Sequence, residues 1–171
     1  MLKDTNITAK MILARINQGI ISNAANILGR TIDGKVRPGG VVVVEVFYND
    51  YQEYSTCGSM SIGSPGANMH NNAFFAHEKI RRLRNLRQEG TDHVASSESA
   101  DPDKAQYGGA ICAFAGINVE VYLSYSGAPQ EVDEVISYVL AKQLGLQVSQ
   151  KYTNPLLLQA TKLLVGACIQ L

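Results

Sequence analysis

The chain lacks a charge surplus, a cysteine framework and a long unbroken apolar run. Its 171 residues carry 15 Lys and Arg against 15 Asp and Glu, so the formal net charge is zero. Generic binding to duplex DNA draws on a basic surplus that neutralises phosphates and releases counterions, so the balance argues against a nucleic-acid partner. Cys57, Cys112 and Cys168 are odd in number and far apart. That spacing excludes a disulfide framework and a CxxC metal pair. The longest mostly apolar tract, residues 155–171, is interrupted by Gln159, Thr161 and Lys162 and is short for a bilayer span. Residues 1–6 lack the apolar core of a secretory signal. These absences predict a reducing, cytoplasmic setting and no membrane partner.

What is present is a foldable composition. Hydrophobic residues make up 46% of the chain, which excludes a disordered segment. At this length one domain is the default, burying roughly two-thirds of the unfolded chain's surface. Composition names no activity, and enzyme, ligand-binding and assembly readings all start open.

Periodicity supplies the elements. Ile7, Met11, Ala14, Gln18, Ile21 and Ala25 are spaced three and four apart and predict one long first helix, capped by Thr5 or Asn6 and ending near Gly29. Residues 31–40 read as a loop. Residues 41–48, four valines followed by Glu45, Val46, Phe47 and Tyr48, fit a pleated, buried strand. Asn49-Asp50 suits a hairpin turn, and the return strand 51–60 is more polar. A glycine-bearing stretch over 58–72 leads to a second helix over about 71–89, closed by Gly90. Residues 91–106 read as a long polar loop. Two further strands, 110–115 and 118–125, meet near Gly116. In the second, Val119, Val121, Leu123 and Tyr125 share one face. A third helix opens near Pro129 with Glu131, Asp133 and Glu134 in its first turns, where the helix dipole favours them. A last helix from Asn154-Pro155 is apolar on more than one face, which predicts burial in the core or against another subunit. The order is α-β-β-α-β-β-α plus an extra C-terminal helix. Hairpins without crossovers imply an antiparallel sheet flanked by helices, an α+β fold.

The junction from Val119 to Glu134, VEVYLSYSGAPQEVDE, ends a strand in Ser126-Gly127 and opens a helix on Asp133-Glu134. Upstream stand the paired glycines Gly108-Gly109 and the pattern Ala76-x-x-Lys79. With the order of elements, these residues resemble the GlcG/HbpS-like haem-binding (haem-degrading) family, to which the C-terminal domain of PduO proteins is related. The resemblance covers roughly residues 5–146. It implies a profilin-like fold for residues 1–146, with 147–171 as a helical extension packing on the domain or on another subunit. It further implies a homo-oligomer and binding of haem or a related tetrapyrrole.

Several residues carry candidate chemistry. The amides of the Ser126-Gly127 junction, at a helix start, can hold a carboxylate or phosphate, although Ser126 as a plain cap and Gly127 as a turn residue explain the same pattern. A haem-iron ligand needs a neutral imidazole beside an apolar slot. His77 follows Phe74 and Phe75, and His70 follows Met69 in the approach to the helix. Each also reads as an ordinary surface histidine. Lys79, Arg81, Arg82, Arg84 and Arg87 form the densest basic run, either a receptor for acid groups or a solvated face neutralised by Asp92, Glu98, Asp101 and Asp103. No metal-site spacing, phosphate loop or dinucleotide fingerprint occurs, and Cys57, Cys112 and Ser126 lack an adjacent base in sequence. The expected function is small-ligand binding, of haem, a tetrapyrrole or a small organic acid. The pocket is expected between the middle helix, segment 58–72 and the Ser126-Gly127 turn. Within it, His70 or His77 would ligate iron and Lys79 would pair with an acid group. An enzyme acting on a small acid or cofactor, and an assembly protein without a ligand, are the alternatives.

Overall fold

The computed structural model describes residues 7–49 and 55–169. Helices α1 (Ala9–Leu13) and α2 (Gln18–Ile32) precede strands β1 (Gly39–Tyr48) and β2 (Ser55–Gly63). Helix α3 (Met69–Gln88), strands β3 (Ala110–Phe114) and β4 (Val119–Ser126), and helix α4 (Gln130–Gln143) follow. Strand β5 (Gln147–Val148) and helix α5 (Leu157–Gly166) close the chain. The sheet is antiparallel with the order β2-β1-β4-β3-β5. The expected α+β arrangement of two hairpins and flanking helices is present.

Strand alternation sorts side chains into two cores. Val42, Val44, Val46, Val121, Leu123 and their neighbours pack under α1, α2 and α4. Val41, Val43, Ala110, Cys112 and Tyr122 pack with Ala76, Ile80 and Leu83 of α3 on the opposite face. Every residue of β4 is buried, because helices cover both faces of this central strand. That double burial explains why valine replaces the polar alternation of a solvated sheet along β1.

Five local expectations change. The first helix is two helices, because the Asn17 side chain accepts from the Ile20 amide and starts α2 afresh. Gly29 lies inside α2, and Gly34, at φ +72°, follows its end instead. Thr8 caps α1, while the expected caps Thr5 and Asn6 lie outside the described residues, as does most of the first hairpin turn. The 91–106 loop is held by two short 3-10 turns, Ser96–Ser99 and Pro102–Lys104, and by Glu98, which accepts the Val94 and Ala95 amides at 2.6 and 2.8 Å. Helix α5 buries only Ala160 and Leu164, beside α2, and leaves Leu158 and Val165 in solvent. Its apolar sequence is therefore not matched by burial all round.

Candidate functional site

Helix α3 lies on one face of the sheet and α4 on the other. They meet only past the end of the sheet, where β4 turns into α4. There Lys79 of α3, 2% exposed, reaches Asp133 of α4, also 2% exposed, with Nζ 2.8 Å from Oδ2. Lys79 Nζ also lies 3.4 Å from the Tyr125 carbonyl. Asp133 Oδ1 accepts the amides of Gly127 and Ala128 at 3.1 and 2.8 Å. The acid held at the junction is thus the chain's own. Burial pushes the Asp133 carboxyl up to about 6, against the opposing pull of Lys79 and the two amides.

The segments behind the family resemblance gather around this pair. Gly109 has φ +131°, and a Cβ there would stand 2.6 Å from Lys79 Nζ and 2.9 Å from Asp133 Cβ. Only glycine admits that backbone and that approach. The Gly109 carbonyl accepts from Ser137 Oγ at 2.7 Å, and Ser137 Oγ accepts the Tyr125 amide at 2.9 Å, which ties β3, β4 and α4 together. A Cβ on Gly127 would meet the Gly39 carbonyl at 2.7 Å. Ala76, fully buried one turn before Lys79, seats α3 on the sheet.

Beside the pair opens a cavity of about 530 Å³. Its walls include Arg37, Asn72, Phe75, Tyr107, Pro129 and Glu131, and Lys79, Ser126, Gly127 and Asp133 also line it. Phe75 and Tyr107 meet edge to face with centroids 5.5 Å apart. Arg37 is paired with Asp33, and its Nε is buried with no hydrogen-bond partner. The cavity therefore offers an aromatic wall, a proline and one arginine side chain.

Of the expected site residues, Lys79, Ser126 and Gly127 line this cavity and the two histidines do not. Of segment 58–72, only Asn72 contributes. His70 and His77 are exposed on the other flank of α3. His77 Nδ1 sits 3.9 Å from the Cys57 thiol of β2. Among the described residues no cluster of three or more His, Cys, Asp or Glu could hold a metal ion. Phe75, expected to line a slot beside His77, lines the cavity instead, while Arg37 and Tyr107 were not expected in the site. Arg37 follows a turn-forming Asp33-Gly34, and Phe75 shares a helical flank with Lys79, but neither signal singles out a cavity.

The basic run of α3 is mostly consumed. Arg82 bonds Glu78 at 2.8 Å and the carbonyls of Ser96 and Tyr107 at 2.7 and 2.6 Å. Arg84 pairs with Glu45 of β1. Arg87 pairs with Glu120 of β4 at 2.6 Å, and Tyr122 donates to the same carboxylate. The expected neutralisation by the 91–106 loop does not occur. Asp92 pairs with Lys151, Asp101 pairs with Lys104, and Glu98 caps its own turn. Strand carboxylates do the work, because α3 lies directly over them.

No family model matches the chain, and no curated protein matches it. Among solved structures, the chain is similar to one described as a crystal structure of a PduOC:haem complex. The TM-score is 0.44 and the identity 16%, covering 77% of this chain and 94% of that one. Among the described residues no helix is long and apolar enough to cross a membrane.

Proposed function

We propose that the chain binds a small molecule with a flat apolar body and an acid group, in the cavity beside the Lys79–Asp133 pair. The observation that carries this reading is the cavity's composition. Phe75, Tyr107 and Pro129 suit a ring, and the Arg37 side chain, which lines the same cavity, suits a carboxylate. The size of about 530 Å³ lies within the usual range for small-molecule sites, roughly 300–1,000 Å³. Lys79 belongs to the frame of the site in this reading, since Asp133 already neutralises it.

Haem, which the family resemblance brings forward, fits the cavity in part. Its propionates suit Arg37. Its iron finds no histidine, cysteine or methionine in the lining, and the Tyr107 hydroxyl is the one side-chain oxygen there of a kind that ligates haem iron. His70 and His77 stand on the wrong flank of α3 for a ligand in this cavity. An organic acid is therefore the favoured occupant. The enzyme alternative gains nothing from Asp133, whose two oxygens are committed to Lys79 and to two amides. The resemblance to the GlcG/HbpS-like family finds support in the way its motif residues surround one ion pair. Three free cysteines, two of them exposed, suit a reducing compartment.

Saturation-transfer NMR with a panel of aromatic and polycyclic carboxylates, alongside haem followed by its Soret band, tests the proposal. The expected result is binding by at least one carboxylate that is weakened in Arg37→Gln and unaffected in His77→Ala. Carboxylate binding indifferent to Arg37→Gln overturns it. So does a Soret shift abolished by His70→Ala or His77→Ala with no carboxylate binding.

A further inference from the structure

The two edges of the sheet are built differently. At one edge β5 is two residues long. At the other, β2 runs nine residues in unbroken register with β1, from Gly39 opposite Gly63 to Phe47 opposite Ser55. Proteins commonly blunt a long edge with charges, proline or a bulge, because its unpaired N–H and C=O groups are a template for another strand. Strand β2 reads STCGSMSIG, with no charge and no proline, and its register carries no bulge.

The phase of the ladder fixes which groups are free. The Ser64 amide bonds the Pro38 carbonyl at 2.8 Å, so the even-numbered residues from Thr56 to Ile62 exchange bonds with β1. The N–H and C=O groups of Ser55, Cys57, Ser59, Ser61 and Gly63 point to the open edge. Among the described residues they have no backbone partner outside the strand pairing. Exposed apolar side chains flank this edge. Met11 of α1, which packs on β2, is 43% exposed, and Met69, in contact with Ser61 at the start of α3, is 45% exposed.

We propose that β2 pairs antiparallel with β2 of a second copy of this chain, about a two-fold axis at Ser59, to form one continuous ten-stranded sheet. The second copy is the favoured occupant because the strand is complementary to itself. In the register of greatest overlap Ser55 faces Gly63, Cys57 faces Ser61 and Ser59 faces Ser59. Every outward N–H and C=O from Ser55 to Gly63 then meets a partner. No charge of either sign is brought face to face. The side chains on the α3 side of β2 are all small, which leaves room for the two α3 helices. The methionines beside the edge add apolar area that a strand ladder alone lacks.

Light scattering of the full chain across micromolar concentrations is the test, with two variants. Ser59→Pro removes an outward amide and leaves the bonds to β1 in place. Ser59→Glu sets like charges opposite each other at the axis. Wild type at twice the chain mass, with both folded variants at the single mass, is the expected outcome. A circular-dichroism melt establishes which variants are folded, and either folded variant alone suffices. In a Cys57→Ser background, Ser59→Cys is expected to give a disulfide-linked dimer on oxidation. A wild type of single mass at every concentration overturns the proposal, as does a dimer that persists in Ser59→Glu.

Discussion

Helix α3 presents two flanks with opposite characters. Asn72, Phe75 and Lys79 follow one line of three- and four-residue spacing and face the cavity. His70, His77 and Arg84 follow another, seven residues apart, toward β2. The first flank is half-buried at Asn72 and Phe75, buried and ion-paired at Lys79, and backed by glycines that admit no side chain. The second carries the residues with the most conspicuous chemistry, two imidazoles of which His77 lies close to the Cys57 thiol, and leaves both imidazoles in solvent. Reactivity of a side-chain type and placement in a cavity are therefore independent here. Helical phase against the sheet decides the second.

Substitutions on the two flanks should separate widely in effect. The largest is expected for Asp133→Ala, which leaves Lys79 Nζ and the Gly127 and Ala128 amides without their buried acceptor. Loss of one partner of such a pair costs about 3–5 kcal/mol, read as a fall in the denaturant midpoint. The double variant Lys79→Met with Asp133→Leu should recover much of that loss, because two apolar groups leave no orphan charge. A double variant as unstable as the single one would mean that the pair does more than neutralise itself.

The pH dependence of stability sharpens the same flank. With its carboxyl raised to about 6 in the fold, Asp133 holds its proton more tightly in the folded than in the unfolded chain. Its contribution to stability is therefore full below about pH 4 and is lost as pH rises through about 6. Urea titrations of wild type and Asp133→Asn should differ in slope over that window. The wild type should lose stability with rising pH relative to the variant. Glu134, also raised by burial, pulls the same way and remains in both proteins. Parallel curves would remove the titration from Asp133.

The smallest effect belongs to the second flank. His77→Ala, at an exposed position, should change stability by no more than about 0.5 kcal/mol in the same urea experiment. A loss several times larger would show that the 3.9 Å approach of His77 to Cys57 holds β2 to α3 and would narrow the contrast between the flanks.

Much of the fold was legible because its signals are local. Four consecutive valines and the alternation of Val119, Val121, Leu123 and Tyr125 mark strands that face two cores. Gly90 and Gly145, both at positive φ, end helices where the periodicity stops. The motif residues 76–79, 108–109, 126–127 and 133–134 could be picked out one by one. Their common purpose could not, since Lys79 and Asp133 are 54 residues apart. The split of the first helix was missed because Ile16 and Ile20 continue the apolar stripe while Asn17, a single cap, interrupts the backbone.

The sequence by itself determined the order of elements, the sidedness of each strand and the identity of the small residues that permit close approach. These follow from backbone sterics and from the periods of helix and strand, which act within a few residues. The tertiary structure decided the partners. It gave Asp133 to Lys79, the strand carboxylates Glu45 and Glu120 to the arginines of α3, and Arg37 to the cavity. It also left β2 as an open edge while both faces of β4 were covered. Pairing of charges and closure of a cavity depend on distances between segments far apart in the chain, and those exist only once the helices have settled on the sheet.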